Sequence, residues 1–168
     1  MNTDHFEIER KYLIRFPETA LLENAVSADE IVQTYLISDT PGVSERVRKR
    51  GTEGNWVYTS TVKTPVSDMR RVEDEREITE AEYTAALLRA DPERSAVRKK
   101  RYCIPYDGHV IEIDIFPFWN DRAVMEIELS SETEEFSVPD RISVIRELTS
   151  DKRYTNRAIA KSVPFEEI

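Results

Sequence analysis

The chain has 168 residues, enough for one domain with its own core, and nothing between residues 1 and 168 reads as a linker or a boundary. Its net charge of −9 sets it against bulk nucleic acid and anionic membranes, so neither is expected as a partner. A single cysteine, Cys103, excludes an internal disulfide and agrees with a reducing, cytoplasmic compartment. The first residues carry no basic-then-apolar signal pattern, and no apolar run approaches a membrane span. Apolar residues are 39% and charged residues 34% of the chain. That is too apolar for disorder and charged enough to suggest a fold that keeps charge inside as well as outside.

In chain order, alternation predicts a strand over residues 6–14, then a helix over 17–28 and strands over 31–37, 43–50, 55–63 and 72–78. Gly51 to Gly54 is expected to turn the third strand into the fourth. Thr79 with Glu82 three residues on is a capping box that opens an amphipathic helix to about Ala90. Strands follow over 97–104, 110–116 and 123–129, the first two joined by an Asp107-Gly108 hairpin. Short helices are expected over 130–136 and 156–163. About eight strands with scattered helices predict an α+β chain, mainly antiparallel β, closed or nearly closed into an eight-stranded barrel with its helices packed outside.

The chemistry lies in charged pairs at spacing two. Strand side chains alternate faces, so residues i and i+2 share a face about 7 Å apart. Such pairs are Glu7 and Glu9 (with Lys11 following), Arg46 and Arg48, Glu75 and Glu77, Lys99 and Arg101, Glu112 and Asp114, and Glu126 and Glu128, with Thr61 and Lys63 half-charged. The alternate positions beside the last two acidic pairs are apolar: Ile111, Ile113 and Ile115, then Met125, Ile127 and Leu129. A solvent face would explain any one pair. Repetition argues otherwise, because two carboxylates about 7 Å apart repel by about 2 kcal/mol at an effective dielectric near 20. If these faces turn inward, the lumen is charged, near balance and wet. It would suit a polyanion gripped by Lys and Arg together with a hard divalent cation held by carboxylates. That is the toolkit of phosphoryl transfer.

These segments resemble the CYTH, or triphosphate tunnel metalloenzyme, superfamily. Glu7-Ile8-Glu9-Arg10-Lys11 is similar to its ExExK opening. Gln33-Thr34-Tyr35-Leu36, Arg46-Val47-Arg48, Thr61-Val62-Lys63, Glu75-Arg76-Glu77, Lys99-Lys100-Arg101-Tyr102, Glu112-Ile113-Asp114 and Glu126-Ile127-Glu128 resemble its later strands in order. Asp151-Lys152-Arg153-Tyr154 with Asn156 resembles the C-terminal stretch of its bacterial members. The resemblance implies a tunnel that hydrolyses triphosphates with Mg²⁺ or Mn²⁺, most similar to the short bacterial inorganic triphosphatases. It implies Glu7, Glu9, Asp114, Glu126 and Glu128 as metal ligands. Lys11, Arg46, Arg48, Lys63, Lys99, Arg101 and Lys152 would hold phosphate. Glu75 and Glu77 would serve a second metal or orient water, while Lys99 or Lys152 would meet the developing charge. Arg70 and Arg71 both remain candidates for an arginine that family members carry before the central acidic pair. Tripolyphosphate is the expected substrate, with ATP or thiamine triphosphate as rivals, a cyclase or a non-catalytic polyphosphate binder as alternative functions, and a monomer or homodimer as the assembly.

His5 and His109 have no second ligand at metal spacing, so surface roles are expected. Cys103 lacks a helper histidine and reads as a structural thiol. Trp56, Trp119 and Tyr35 are expected to pack, although Tyr35 could also partner a lysine.

Overall fold

The computed structural model describes residues 5–168. Its strands are β1 (His5–Arg15), β2 (Ser27–Tyr35), β3 (Ser44–Thr52), β4 (Asn55–Pro65), β5 (Arg70–Ile78), β6 (Val97–Tyr106), β7 (His109–Ile115), β8 (Arg122–Glu128) and β9 (Val144–Glu147). The sheet runs β5-β4-β3-β2-β6-β7-β8-β1-β9, and β5 also pairs with β1. Every ladder is antiparallel, so the first eight strands close into the expected barrel and β9 is added along the free half of β1. The closing seam is narrow, running from His5↔Glu73 to Ile8↔Arg70.

Tight turns form where the sequence allows them. Asp107 (φ 47°) and Gly108 (φ 78°) join β6 to β7 with both residues left-handed, the two-residue hairpin that matches strand twist. Gly51 (φ 145°) lies before the β3–β4 turn, where an added Cβ would stand 2.2 Å from the Asn55 carbonyl oxygen.

Helices are fewer and shorter than the sequence suggests. The predicted helix over 17–28 contracts to α1 (Thr19–Leu22), because Val26 N–H donates to the Cys103 carbonyl at 2.9 Å and Ser27 already pairs with β6. The sheet edge outcompetes local propensity there. The expected helix over 130–136 is absent. Glu134 turns back to accept the Ser130 hydroxyl at 2.6 Å together with its backbone N–H, which ties the segment into a turn. The capping box at Thr79 does form and opens α2 (Glu80–Ala86), which tightens into a 3₁₀ turn over Leu87–Arg89. The last predicted helix shortens to α3 (Asn156–Ile159), capped by Thr155. No helix of the described residues is long and apolar enough to cross a membrane.

Three apolar clusters hold the barrel. Val47, Ile78 and Leu36 lie on its outer face under Tyr83 of α2. Ile14, Ile111, Ile113, Met125 and Ile127 form a second outer face, covered by Leu21 of α1 and by Leu129, Phe136 and Ile142. The third cluster is inside. Leu13, Tyr35, Val97, Phe116 and Val124 meet at one end of the lumen, and Trp119, Leu148, Tyr154, Ile159 and Ala160 seal it. They continue the inward rows of Glu9 and Lys11, Lys99 and Arg101, and Glu126 beyond their charged ends, so the tunnel has an apolar floor.

Phe116 is 2% exposed and stacks on Phe118 at 5.2 Å and edge-on to Trp119 at 5.3 Å. Phe116→Ala should cost about 3–5 kcal/mol in a urea titration. An unchanged midpoint would mean that the floor does not hold the fold.

Candidate active site

The inward rows line a cavity of about 1480 Å³ that runs from Glu7, Glu9 and Lys11 on β1 around to Arg46, Arg48, Lys63 and Glu75. Its remaining wall is the segment after β9, which contributes Thr149, Lys152, Asn156 and Arg157. Leu148 N–H donates to the Lys11 carbonyl at 2.7 Å and Lys11 N–H donates to Thr149 Oγ1 at 3.0 Å, so this segment continues the wall where β5 leaves β1.

The charged side chains fall into three groups. The first is a knot. Arg101 donates to both oxygens of Asp114 (2.7 and 2.8 Å) and to Glu126 (3.3 Å), and it also pairs with Glu112. Lys99 Nζ reaches Asp114 at 2.6 Å and the Asn156 side-chain oxygen at 3.3 Å. Burial drives Lys99 down to about 7 against the pull of Asp114. Burial pushes Asp114 up, but Arg101 and Lys99 outweigh it and keep the carboxyl below its usual range. Neither Lys99 nor Asp114 reaches the cavity surface.

The second group is acidic and straddles the seam. Glu9 stands opposite Glu128 in the β1–β8 ladder, and Lys11 stands opposite Glu126. Lys11 Nζ lies 3.2 Å from Glu126. Lys63 bonds Glu7 at 2.8 Å and lies 3.4 Å from Glu73. Arg71 lies 3.8 Å from Glu7 and 3.4 Å from Glu9. Burial alone would raise Glu7, but Lys63 and a hydrogen bond from Glu73 bring it down to about 2. Glu73, half-buried and sharing that hydrogen bond, is pushed up to about 7, chiefly by burial. Glu9 is raised by burial first and then by its neighbours Glu126 and Glu7, against the pull of Lys11 and Lys63.

The third group is basic and has no carboxylate within salt-bridge reach among the described residues, although, against burial, Tyr35, Glu73 and Glu7 hold Arg46 above its usual value. Arg46 is 6% exposed, and among the described residues neither it nor Arg48 forms a salt bridge. Arg46 Nε is buried without a hydrogen-bond partner. Arg48 donates to the Gln33 side-chain oxygen at 3.3 and 3.1 Å and is lowered to about 10 by burial and by the nearby Arg46 and Arg101.

Most predicted site residues converge on the cavity: Glu7, Glu9, Lys11, Arg46, Arg48, Lys63, Glu75, Arg101, Glu126, Glu128 and Lys152 all line it. Glu77 does not, because β5 has run past the cavity there and the side chain is exposed. Of the two arginine candidates, Arg71 lines the cavity, whereas Arg70 turns outward with its guanidinium 3.8 Å from the Phe6 ring centre. Glu73 and Glu112 line it too and belong to the same inward rows as Glu75 and Asp114, a signal present in the spacing. Tyr35 packs in the floor, and its hydroxyl accepts from Gln33 at 3.1 Å rather than meeting a lysine. Trp119 packs in the floor as expected, and its indole N–H donates to the Pro164 carbonyl at 2.9 Å. His109 bonds Glu134 at 2.9 Å on the outer side, and Cys103 is a half-buried free thiol.

No three acidic, histidine or cysteine side chains form a ready cage for a metal ion among the described residues. The carboxylates around Glu9 nonetheless gather oxygen ligands that outnumber the neighbouring Lys11, Lys63 and Arg71, and such a set suits a hard divalent cation.

Residues 5–154, which span the closed antiparallel barrel and its inward charged rows, match the model of the CYTH domain. The chain belongs to the CYTH domain family. An inorganic triphosphatase of Nitrosomonas europaea is 34% identical over 164 residues, covering 94% of this chain and 99% of that protein. A crystal structure of an inorganic triphosphatase superposes with a TM-score of 0.58 at 32% identity, covering 95% of this chain and 97% of that one. A protein from Hippeastrum, described as a putative adenylyl cyclase with a dominant triphosphatase activity, superposes with a TM-score of 0.51 at 15% identity over 74% of this chain and 80% of that one. At that identity the likeness concerns the fold alone.

The knot and the exposed carboxylates should respond differently to neutralisation. Asp114→Asn strands Lys99 without its counter-charge and should cost about 3–5 kcal/mol in a urea titration. Glu128 is exposed, and Glu128→Gln should change stability by no more than about 0.5 kcal/mol. Equal effects would mean that the buried pair is not the structural one.

Proposed function

We propose that the chain hydrolyses the terminal phosphate of a triphosphate, inorganic tripolyphosphate foremost, with Mg²⁺ or Mn²⁺. The observation that carries this reading is the pair Arg46, buried, and Arg48, half-buried, two cations with no carboxylate in salt-bridge reach among the described residues, beside a patch in which Glu7, Glu9, Glu73, Glu126 and Glu128 outnumber Lys11, Lys63 and Arg71. A tunnel that only needed internal balance would pair these two groups with each other. A polyphosphate bound with a divalent ion supplies anion to one and cation to the other. The 34% identity to an inorganic triphosphatase over nearly both full lengths supports the same substrate class.

In this reading Arg46, Arg48, Lys11 and Lys63 grip the phosphate oxygens, with Arg71 and Lys152 closing from the seam and from the C-terminal wall. Glu7, Glu9, Glu126 and Glu128 would hold the metal, which would supply Lewis-acid neutralisation of phosphate charge. Glu75 accepts the proton of the attacking water, held in place by Thr61 Oγ1 donating to it at 2.9 Å. The new bond forms between water oxygen and the terminal phosphorus, the bridging P–O bond breaks, and orthophosphate and diphosphate leave. Asp114 and Lys99 act from behind the wall by fixing Arg101, a role that differs from the metal and phosphate contacts implied for them by resemblance.

Purified protein with tripolyphosphate and Mg²⁺ or Mn²⁺ should release phosphate, and a chelator should stop it. ATP and thiamine triphosphate in the same assay, with cyclic AMP measured alongside, separate hydrolase from cyclase. Arg48→Ala should lower kcat/KM by about 100-fold or more. Glu9→Gln should also abolish turnover, yet it should not lower stability, because the carboxyl it replaces is already disfavoured as an anion. Normal turnover in Glu9→Gln would refute the assignment of the acidic patch.

A further inference from the structure

We propose that Gln33 is a positioning residue for anion recognition: its side-chain amide fixes Arg48 in the tunnel without neutralising it. This rests on the triphosphate reading and adds to it the reason that Arg48 is free to bind.

The tunnel holds its arginines in two contrasting ways. Arg101 is surrounded by Asp114, Glu112 and Glu126, so its charge is spent inside the protein. Arg48 stands directly opposite Gln33 in the β2–β3 ladder and donates from Nε and Nη2 to the Gln33 oxygen at 3.3 and 3.1 Å. An amide oxygen can orient a guanidinium, but it carries no net charge to cancel it.

Gln33 is itself well fixed. It is 0% exposed, and its Nε2 donates to the Tyr35 hydroxyl at 3.1 Å, which sets which end of the amide faces Arg48. The Tyr35 ring is 4% exposed within the apolar floor. A rigid line therefore runs from the floor through the Tyr35 hydroxyl and the Gln33 amide to the Arg48 guanidinium. Arg46, opposite Tyr35 in the same ladder, stands beside the end of this line with its Nε unpartnered.

Stability alone would favour a carboxylate at position 33. Glutamate has the same shape, and both of its oxygens would find a donor, one from Arg48 and one from the Tyr35 hydroxyl. Such a residue would convert Arg48 into a second Arg101. The amide keeps the geometry and leaves the charge for an incoming anion, which a carboxylate would cancel.

The test compares Gln33→Glu and Gln33→Met with wild type in two measurements: tripolyphosphate binding by calorimetry in EDTA, and thermal melting without ligand. Wild type should bind. Gln33→Glu should bind about 100-fold more weakly while melting at or above the wild-type temperature. Gln33→Met, which keeps the free charge but loses the anchor, should lose about 10-fold. Opposite movement of stability and affinity in Gln33→Glu is the signature that a merely structural glutamine cannot produce. Binding by Gln33→Glu within about threefold of wild type would overturn the proposal. So would a Gln33→Met loss as large as that of Gln33→Glu, or a Gln33→Glu protein that melts well below wild type. A wild-type protein that hydrolyses tripolyphosphate with Mg²⁺ or Mn²⁺ yet does not bind it in EDTA would overturn this inference alone, and one that does neither would sink the triphosphate reading as well.

Discussion

Arg101 meets Asp114, Glu112 and Glu126 at once, and this knot sets the charge balance of the tunnel around it. A closed sheet must send every second side chain inward, and here those positions carry charge. Buried charges are tolerable when each finds a partner, and most do: Lys99 takes Asp114, Lys11 takes Glu126, and Lys63 takes Glu7. With Arg101 absorbing three carboxylates on one side, Arg46 and Arg48 are left across the lumen without any among the described residues. The surplus of cation there and of anion around Glu9 is a consequence of where the knot lies. In the proposed function the ligand occupies the part of the tunnel that internal pairing leaves unbalanced.

Much of this was legible from spacing two. The repeated charged pairs named the inward face of each strand, and the isoleucines between them named the outward face that α1, α2 and the loop after β8 cover. Partners across strands were not legible, because they depend on register. Arg70 and Arg71 are neighbours in sequence and cannot be ranked until β5 is set against β1, which turns Arg71 in and Arg70 out. Glu77 obeys the alternation yet misses the cavity because the strand outruns it. The helix expected over 130–136 failed on a single competing contact, Glu134 with Ser130, and β9 is too short to announce itself. In the sequence Gln33 stands out only as part of the Gln33-Thr34-Tyr35-Leu36 motif. A neutral residue in a charged row gives no signal until its oxygen is seen against Arg48.

The apolar floor gives the wet lumen its rigidity. Charged side chains in water would sample many rotamers, but Tyr35 ties Gln33 to packed aromatic side chains. Lys11 Nζ similarly lies 3.4 Å from the Tyr154 carbonyl, on a residue that seals the same floor. The segment after β9 thus does two jobs, walling the cavity with Lys152 and Asn156 and anchoring it with Leu148 and Tyr154. Preorganisation of this kind reduces the ordering that a highly charged ligand would otherwise impose on binding.

The narrow seam has a consequence for how the chain is made. β1 is made before the other strands, yet it can pair with β5 only over residues 5–8, which leaves Glu9 and Lys11 of its inward row outside that ladder. Its longer ladder, from Glu9↔Glu128 to Arg15↔Arg122, waits until β8 has been synthesised. Through most of translation the first strand is therefore an unpaired edge while β2 to β5 can already zip as a meander. Its alternate charges give that waiting edge protection against neighbouring nascent chains, since glutamate and lysine on an exposed strand disfavour edge-to-edge association. The residues assigned here to metal and phosphate thus have an earlier duty, keeping the strand that carries them solitary until its own partner arrives.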